Sequence, residues 1–218
     1  MTLTIALVNL KPGVGKSTSA VFLGQALYEA GDNPLVVDAD KGRSTQRWEE
    51  LAGGFHFPVI SKATRTLHTD IPDLMENRGS LIVDVPQVED HAGIARSALR
   101  ICSTWVLPIA PSIIEVDRMF ADGTLVEFLD NTQELRTDTG QAPADVVVLL
   151  NRTNTARMTK GGPDADVRQL FRDKGFVVLD TQIPHNDDRY RQSGGQRVRA
   201  IGTPYERVIR ELKQRQAG

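Results

Sequence analysis

"NLKPGVGKST", residues 9–18, decides how the rest of the chain is read. Gly15, Lys16 and Ser17 supply the closing G-K-[ST] of the phosphate-loop pattern G-x-x-x-x-G-K-[ST]. The opening glycine of that pattern falls at position 10, where Leu10 stands, followed by Lys11 and Pro12. In front runs "LTIALVNL" (3–10), a short apolar run that reads as a strand buried on both faces. Behind it a helical pattern starts at Lys16, with Ala20, Leu23 and Leu27 at helical spacing and Gly31 as a stop. "LVVDAD" (35–40) is the next strand, so strand, loop, helix and strand complete a βαβ unit.

The alternation continues outward from this unit. Helices are expected over 44–52, near 70–77 and near 90–101, with strands near 57–60, over 80–86 ("SLIVDVP") and over 104–110 ("TWVLPIA"). "SIIE" (112–115) reads as a capping box opening one long helix to about 135. A strand over 144–151, a helix near 163–174, a strand over 176–184 and a final helix over 203–215 complete the chain. Short, all-apolar strands separated by helices predict an α/β fold with a doubly wound, mostly parallel sheet flanked by helices. The 218 residues fit one such domain, and neither polar loop, near 137–143 or 153–162, looks like a long linker.

The totals narrow the class. Hydrophobic residues make up 40% and charged residues 25%, ordinary for a soluble protein. The single cysteine, Cys102, excludes an intrachain disulfide and an all-cysteine metal site, and its apolar setting predicts a buried, inert thiol. The N-terminus has no basic region of a signal peptide, and no apolar run reaches the ~20 residues of a membrane span, so a cytoplasmic protein is expected. With a net charge of −2, nucleic-acid binding would need a local patch. Residues 189–218 offer one: eight basic residues against Glu206 and Glu211, leaving the rest of the chain at −8.

The loop's chemistry follows from its place. In a parallel α/β sheet, ligands sit at the carboxyl ends of the strands. There Gly13 and Gly15 let backbone N–H groups approach a phosphate, and the helix N-terminus adds partial positive charge. Lys16 would reach the β- and γ-phosphates of ATP, and the Ser17 hydroxyl would bind Mg²⁺. Asp84, closing "LIVD", stands where a Walker B carboxylate holds Mg²⁺ through water. Asp38 and Asp40 end the second strand: one can face the γ-phosphate and orient the attacking water, the other can cap a helix.

Taken together, "LKPGVGKST" resembles the deviant Walker A of ParA/MinD-type ATPases, K-G-G-x-G-K-[ST], in which the first glycine is absent and an early lysine is the signature. Lys11 matches that lysine. The resemblance implies a P-loop ATPase that dimerises with ATP, the loop being Lys11, Pro12, Gly13, Val14, Gly15, Lys16, Ser17 and Thr18. Lys11 would supply charge in trans to the partner's phosphates, in the logic of an arginine finger. "VVDAD" resembles the family's D-x-D, which puts Asp40 at the water-orienting switch and leaves Asp38 beside the metal. "PIAPS" (108–112) resembles its P-x-x-P-S. "LLNR" resembles the segment beside adenine, with Asn151 reading the base and Arg152 next to it. "TQIPHNDDRYRQS" (181–193), with Pro184, resembles the segment that closes over adenine and carries basic residues in DNA-binding members. Two departures stand out. Pro12 removes one N–H donor, and "DADKGRS" replaces D-x-D-P-Q, placing Lys41 and Gly42 in the first switch.

The closest likeness is to ParA partition proteins. It implies a homodimer, non-specific double-stranded DNA as ligand, and a ParB-type or cargo-adaptor partner that stimulates slow hydrolysis. Arg189, Arg191, Arg197, Arg199 and Arg210 are the expected DNA contacts, to phosphates rather than base edges. A solvated helix face is the alternative for "YERVIRELKQRQ", whose Tyr205, Val208, Ile209 and Leu212 form a docking stripe. A MinD-like membrane helix is not expected, because the tail has one Tyr and no Phe or Trp. A metabolic ATP-dependent ligase of the dethiobiotin-synthetase kind and a non-hydrolysing nucleotide-dependent scaffold are the rivals. Trp48 and Trp105 read as packing residues, and His68, His91 and His185 show no metal-ligand spacing.

Overall fold

The computed structural model describes residues 2–121, 124–155, 160–186, 189–190 and 193–217. β1 (Leu3–Leu7) runs through the glycine loop into α1 (Lys16–Glu29), then β2 (Pro34–Asp38), α2 (Ser44–Leu51) and β3 (Val59–Ser61). A one-turn α3 (Leu67–Asp70) and a 3-10 turn (Pro72–Met75) lead to β4 (Ser80–Asp84), α4 (Val88–Ile101) and β5 (Thr104–Ile109). α5 (Ile113–Ala121), α6 (Thr124–Asp138), β6 (Asp145–Thr153), α7 (Pro163–Asp173), β7 (Val177–Val178), β8 (Ile183–Pro184) and α8 (Pro204–Ala217) follow.

The described strands pair in the order β3-β2-β4-β1-β5-β6-β7, with β8 also on β6. Every pairing is parallel. Alternate residues of each strand feed opposite faces, as the period of two requires. Ala6, Val37, Val83 and Trp105 enter the core under α4–α7. Ile5, Val36, Ile82 and Val106 enter the core under α1, α2 and α8, with Phe22, Trp48 and Tyr205. Both faces are buried, so the apolar strands need no polar side, and the doubly wound expectation holds.

Two local expectations are corrected. The helix expected near 70–77 is a four-residue helix and a 3-10 turn, because Pro72 lacks the N–H that would continue the ladder. The long helix expected from 112 is described over Ile113–Ala121 (α5) and Thr124–Asp138 (α6), and residues 122–123 of that expectation lie outside the described residues. The strand over 176–184 is two short strands, because the Glu211 carboxylate of α8 accepts the Asp180 and Thr181 N–H groups at 3.0 and 2.8 Å and takes them off the ladder.

The packing of α1 on β2 rests on Gly24. A Cβ there would lie 2.9 Å from both Val36 Cγ2 and the Phe57 ring. Gly24→Ala gains up to about 1 kcal/mol of helix propensity, but overpacking of a close-packed interface costs about 1–3 kcal/mol. A net fall in the thermal midpoint is expected; a midpoint equal to or above wild type would show that α1 can move off β2 freely.

Candidate nucleotide site

The strand order puts the loops after β1, β2 and β4 together at the carboxyl end of the sheet. Register pairs Leu7 with Asp84, and Asp38 with Asp84, so the last residues of three neighbouring strands meet. The glycine loop lies over them. Gly13 and Gly15 have φ of 81° and 87°, left-handed values that side chains rarely adopt, and a Cβ on Gly15 would sit 2.5 Å from Asn151 Nδ2.

Lys16 is buried, and its Nζ donates to the Lys11 carbonyl at 3.0 Å. Burial pulls its pKa below the ordinary value, with Asp84 and Asp40 pulling the other way. Asp84 is fully buried. Burial first, then the neighbouring Asp38, push its carboxyl up to about 6, against hydrogen bonds from Ser17 and Thr45 and the charge of Lys16. The Thr45 hydroxyl donates to Asp84 Oδ2 at 2.7 Å. A buried carboxylate with a hydroxyl beside it fits Mg²⁺, a hard cation bound by one or two carboxylates together with substrate phosphates. Ser17 and Asp84 would hold it, and the ion would neutralise charge on the phosphates.

Asp38 and Asp40 divide their tasks. Asp38 Oδ1 accepts the Asp40 N–H at 3.1 Å and Oδ2 the Gln46 N–H at 3.0 Å. It therefore caps the first turn of α2, and burial raises its pKa against those backbone donors. This qualifies its expected metal role: the carboxylate lies beside Asp84 but both oxygens already serve backbone donors. Asp40 is half-buried, and among the described residues its carboxylate accepts the Gly42 N–H alone, at 2.8 Å, which leaves it the carboxylate of the two with free acceptor capacity. Lys11 is half-buried and its ammonium makes no hydrogen bond or ion pair among the described residues.

A cavity of about 420 Å³ opens beside the loop, lined by Gly15, Thr18, Asn151, Arg152 and Pro184, so these expected nucleotide contacts converge. Asn151 also braces the loop. Its Nδ2 donates to the Val14 carbonyl at 2.9 Å and its Oδ1 accepts the Arg152 N–H at 3.0 Å, bracing the loop from β6. One lone pair of Oδ1 remains for a base amino group. Arg152 has a left-handed φ of 59° at this wall.

Tyr190 and Tyr205 also line the cavity, with His185 and Asn186 at its edge. Tyr205 stacks on Phe22 at 5.1 Å, Tyr190 meets both rings edge-on, and Tyr205 Oη pairs with Ser19 Oγ at 3.1 Å. Sequence periodicity places Tyr205 on a docking stripe, which it is; its second role as a wall arises only where α1 and α8 meet. His185, read as a surface imidazole, is exposed and sits at the mouth. Trp48 and Trp105 are packing residues, and Cys102 is buried.

The basic region is not one stripe. Arg189, Arg199 and Arg210 are exposed, Arg210 pairing with Glu206 at 3.2 Å. Arg197 is exposed but its guanidinium donates to the carbonyls of Gly54 and Gly53 at 2.9 and 3.1 Å, so it ties a loop. Arg191 lies outside the described residues. α8 runs to the far end of the sheet, where Arg215 binds Asp145 at the start of β6 and Lys213 meets Asp32 before β2. Those two charges face away from the loop end.

The displacement of Asp84 from 3.8 to about 6 is worth up to about 3 kcal/mol. A raised carboxyl pKa means that the ionised form costs stability: the cost is full above pH ~6, fades as pH falls toward the unfolded value, and is small below it. Asp84→Asn is therefore expected to raise the thermal midpoint of the ligand-free chain at pH 8 and to give little gain at pH 4. Equal gains at both pH values would locate the effect outside this charge.

Residues 5–197 match the family described as CobQ/CobB/MinD/ParA nucleotide binding domain. The chain is 34% identical over 115 residues to the maintenance of carboxysome distribution protein A of Gloeobacter kilaueensis, covering 51% of each chain. It is 36% identical over 75 residues to the chromosome partitioning protein ParA of Caulobacter vibrioides, covering 28% of this chain and 27% of that one. The matches thus span about half or less of these relatives. In structure it is similar to apo McdA from Cyanothece (TM-score 0.73, 17% identity, 97% of this chain and 100% of that one). It is equally similar to cobyrinic acid a,c-diamide synthase from Mycobacterium smegmatis with bound ATP analogue and magnesium (TM-score 0.73, 17% identity, 100% and 97%). MinD from Pyrococcus horikoshii with Mg-ADP shares the fold at TM-score 0.63 and 19% identity, over 99% and 96% of the two chains. With the family match running over most of its length and the glycine loop, Asp84 and a cavity beside them in place, the chain belongs to the CobQ/CobB/MinD/ParA nucleotide-binding domain family.

Proposed function

We propose that the chain is an ATP-switched positioning ATPase of the ParA kind, which binds Mg-ATP, dimerises, and holds non-specific DNA until hydrolysis releases it. The observation that carries this reading is the Lys11 ammonium, uncommitted among the described residues at the head of a loop whose own Lys16 is already docked. A charge left unpaired there is suited to another copy's phosphates, where transition-state charge builds. Lys16, Ser17 and Asp84 serve the bound nucleotide and Mg²⁺, Asp40 orients the attacking water, and Asn151 and Pro184 flank the base. The exposed Arg189, Arg199 and Arg210, with Arg191, supply phosphate contacts to DNA. The likeness to carboxysome-distribution and chromosome-partitioning proteins supports a cargo-positioning role with an adaptor partner. A metabolic ligase is the second reading, favoured by the equal structural likeness to a diamide synthase.

The test is binding to random-sequence duplex DNA at fixed low salt, without nucleotide, with ADP-Mg and with ATP-Mg. Binding restricted to ATP-Mg is expected, and reversing Arg189 and Arg191 to Glu should weaken it at least about tenfold. No DNA binding in any state, with ATP still bound, would transfer the assignment to the ligase. Lys11→Ala should retain nucleotide binding and lose ATP-dependent dimerisation and stimulated turnover. Turnover at the wild-type rate would remove the lysine from its trans role.

A further inference from the structure

α2 is held at both ends by polar contacts to two different functional places. At its N-terminal end, Thr45 Oγ1 donates to Asp84 at 2.7 Å and the Gln46 N–H to Asp38 at 3.0 Å. At its C-terminal end, the Trp48 indole N–H donates to the Gln196 carbonyl at 2.8 Å, and the Arg197 guanidinium reaches the Gly53 and Gly54 carbonyls just past the helix. Gly195 lies against the last turn, where an added Cβ would be 3.3 Å from Leu51 Cβ. Eight residues make the helix about 12 Å long at 1.5 Å per residue.

The helix also packs against α1 through Trp48, whose ring meets Phe22 edge-on at 6.4 Å. Its buried residues are Thr45 and Trp48, its N-cap residue Arg43 has a left-handed φ of 53°, and no cap side chain bonds to it. Beyond this packing, its polar contacts tie it to the Asp38–Asp84 pair on one side and to residues 195–197 on the other. The downstream end of that segment is fastened to the phosphate-loop helix, because Glu29 of α1 accepts the N–H groups of Ala200 and Ile201 at 3.1 and 2.6 Å. Reorienting the Asp84 carboxylate pulls on the Thr45 hydroxyl, and a shift of α2 relative to α1 changes the path of the chain that carries Arg197 and Arg199.

We propose that α2 is a strut that transmits the state of the Asp84 end of the nucleotide site to the arginine-bearing segment 196–199. Thr45 is the positioning residue at one end, and the Trp48–Gln196 contact is the latch at the other. The strut rests on the reading of the chain as a nucleotide-switched DNA binder. It supplies the differential contact that any ligand-driven population shift requires.

Trp48→Phe keeps a ring against Phe22 and removes the indole donor. In DNA titrations at fixed low salt, wild type is expected to bind at least about tenfold more tightly with ATP-Mg than with ADP-Mg, and Trp48→Phe to reduce that ratio to about threefold or less. A variant that keeps the full ratio overturns the strut. If wild type binds DNA in no nucleotide state, the DNA reading fails and the strut is judged by fluorescence alone. The chain has two tryptophans, so subtracting the emission of Trp48→Phe isolates Trp48 from the buried Trp105. Saturating ATP-Mg should change Trp48 emission, Thr45→Val should abolish the change, and Thr45→Ser should restore it. Emission that ignores ATP-Mg, or that responds equally in Thr45→Val, overturns the strut.

Discussion

A carboxylate fully buried beside another carboxylate is costly, and the loop end of the sheet is organised around that cost. Asp38 and Asp84 are directly opposed on β2 and β4. Desolvation and mutual repulsion both favour the protonated acid. The neighbours answer with donors. Backbone N–H groups of Asp40 and Gln46 serve Asp38, and the hydroxyls of Ser17 and Thr45 serve Asp84. The same arrangement aims a hydroxyl and a carboxylate at one place, where a divalent cation would reverse the local electrostatics. Helix α2 starts where it does because Asp38 receives its first turn.

The other half of the site is built from packing. Phe22 of α1 stacks on Tyr205 of α8, and Tyr190 closes against both. This aromatic corner belongs to the core on one side and to the cavity on the other. Asn151 joins the two halves, since its amide holds the loop carbonyl of Val14 from the end of β6. Glu29 and Glu211 then fasten the stretches on either side of the cavity wall by accepting backbone N–H groups that no strand pairs.

Charge counted along the chain and charge placed in space differ. Of the eight basic residues in 189–218, four stand on α8 together with both acids, and the helix traverses the sheet, so Lys213 and Arg215 emerge at the end opposite the phosphate loop and meet Asp32 and Asp145. Arg197 is turned to carbonyl groups. The free basic surface is consequently smaller than the count suggests, with Arg189, Arg199 and Arg210 exposed and Arg210 paired to Glu206.

The sequence by itself determined the parallel α/β class, because apolar strands without a polar face can be buried only between two helical layers. It also determined the phosphate loop, since Gly15-Lys16-Ser17 and Asp84 each follow an apolar strand, and the local order of strand and loop decides where they lie. It located Asn151, Arg152 and Pro184 at the cavity through their likeness to a known pattern. Only the tertiary structure decided the rest. The pairing of Asp38 with Asp84, the aromatic wall of Tyr190 and Tyr205, and the separation of the C-terminal arginines all depend on residues far apart in sequence. Such contacts are set by strand order, register and helix direction, which no local spacing encodes.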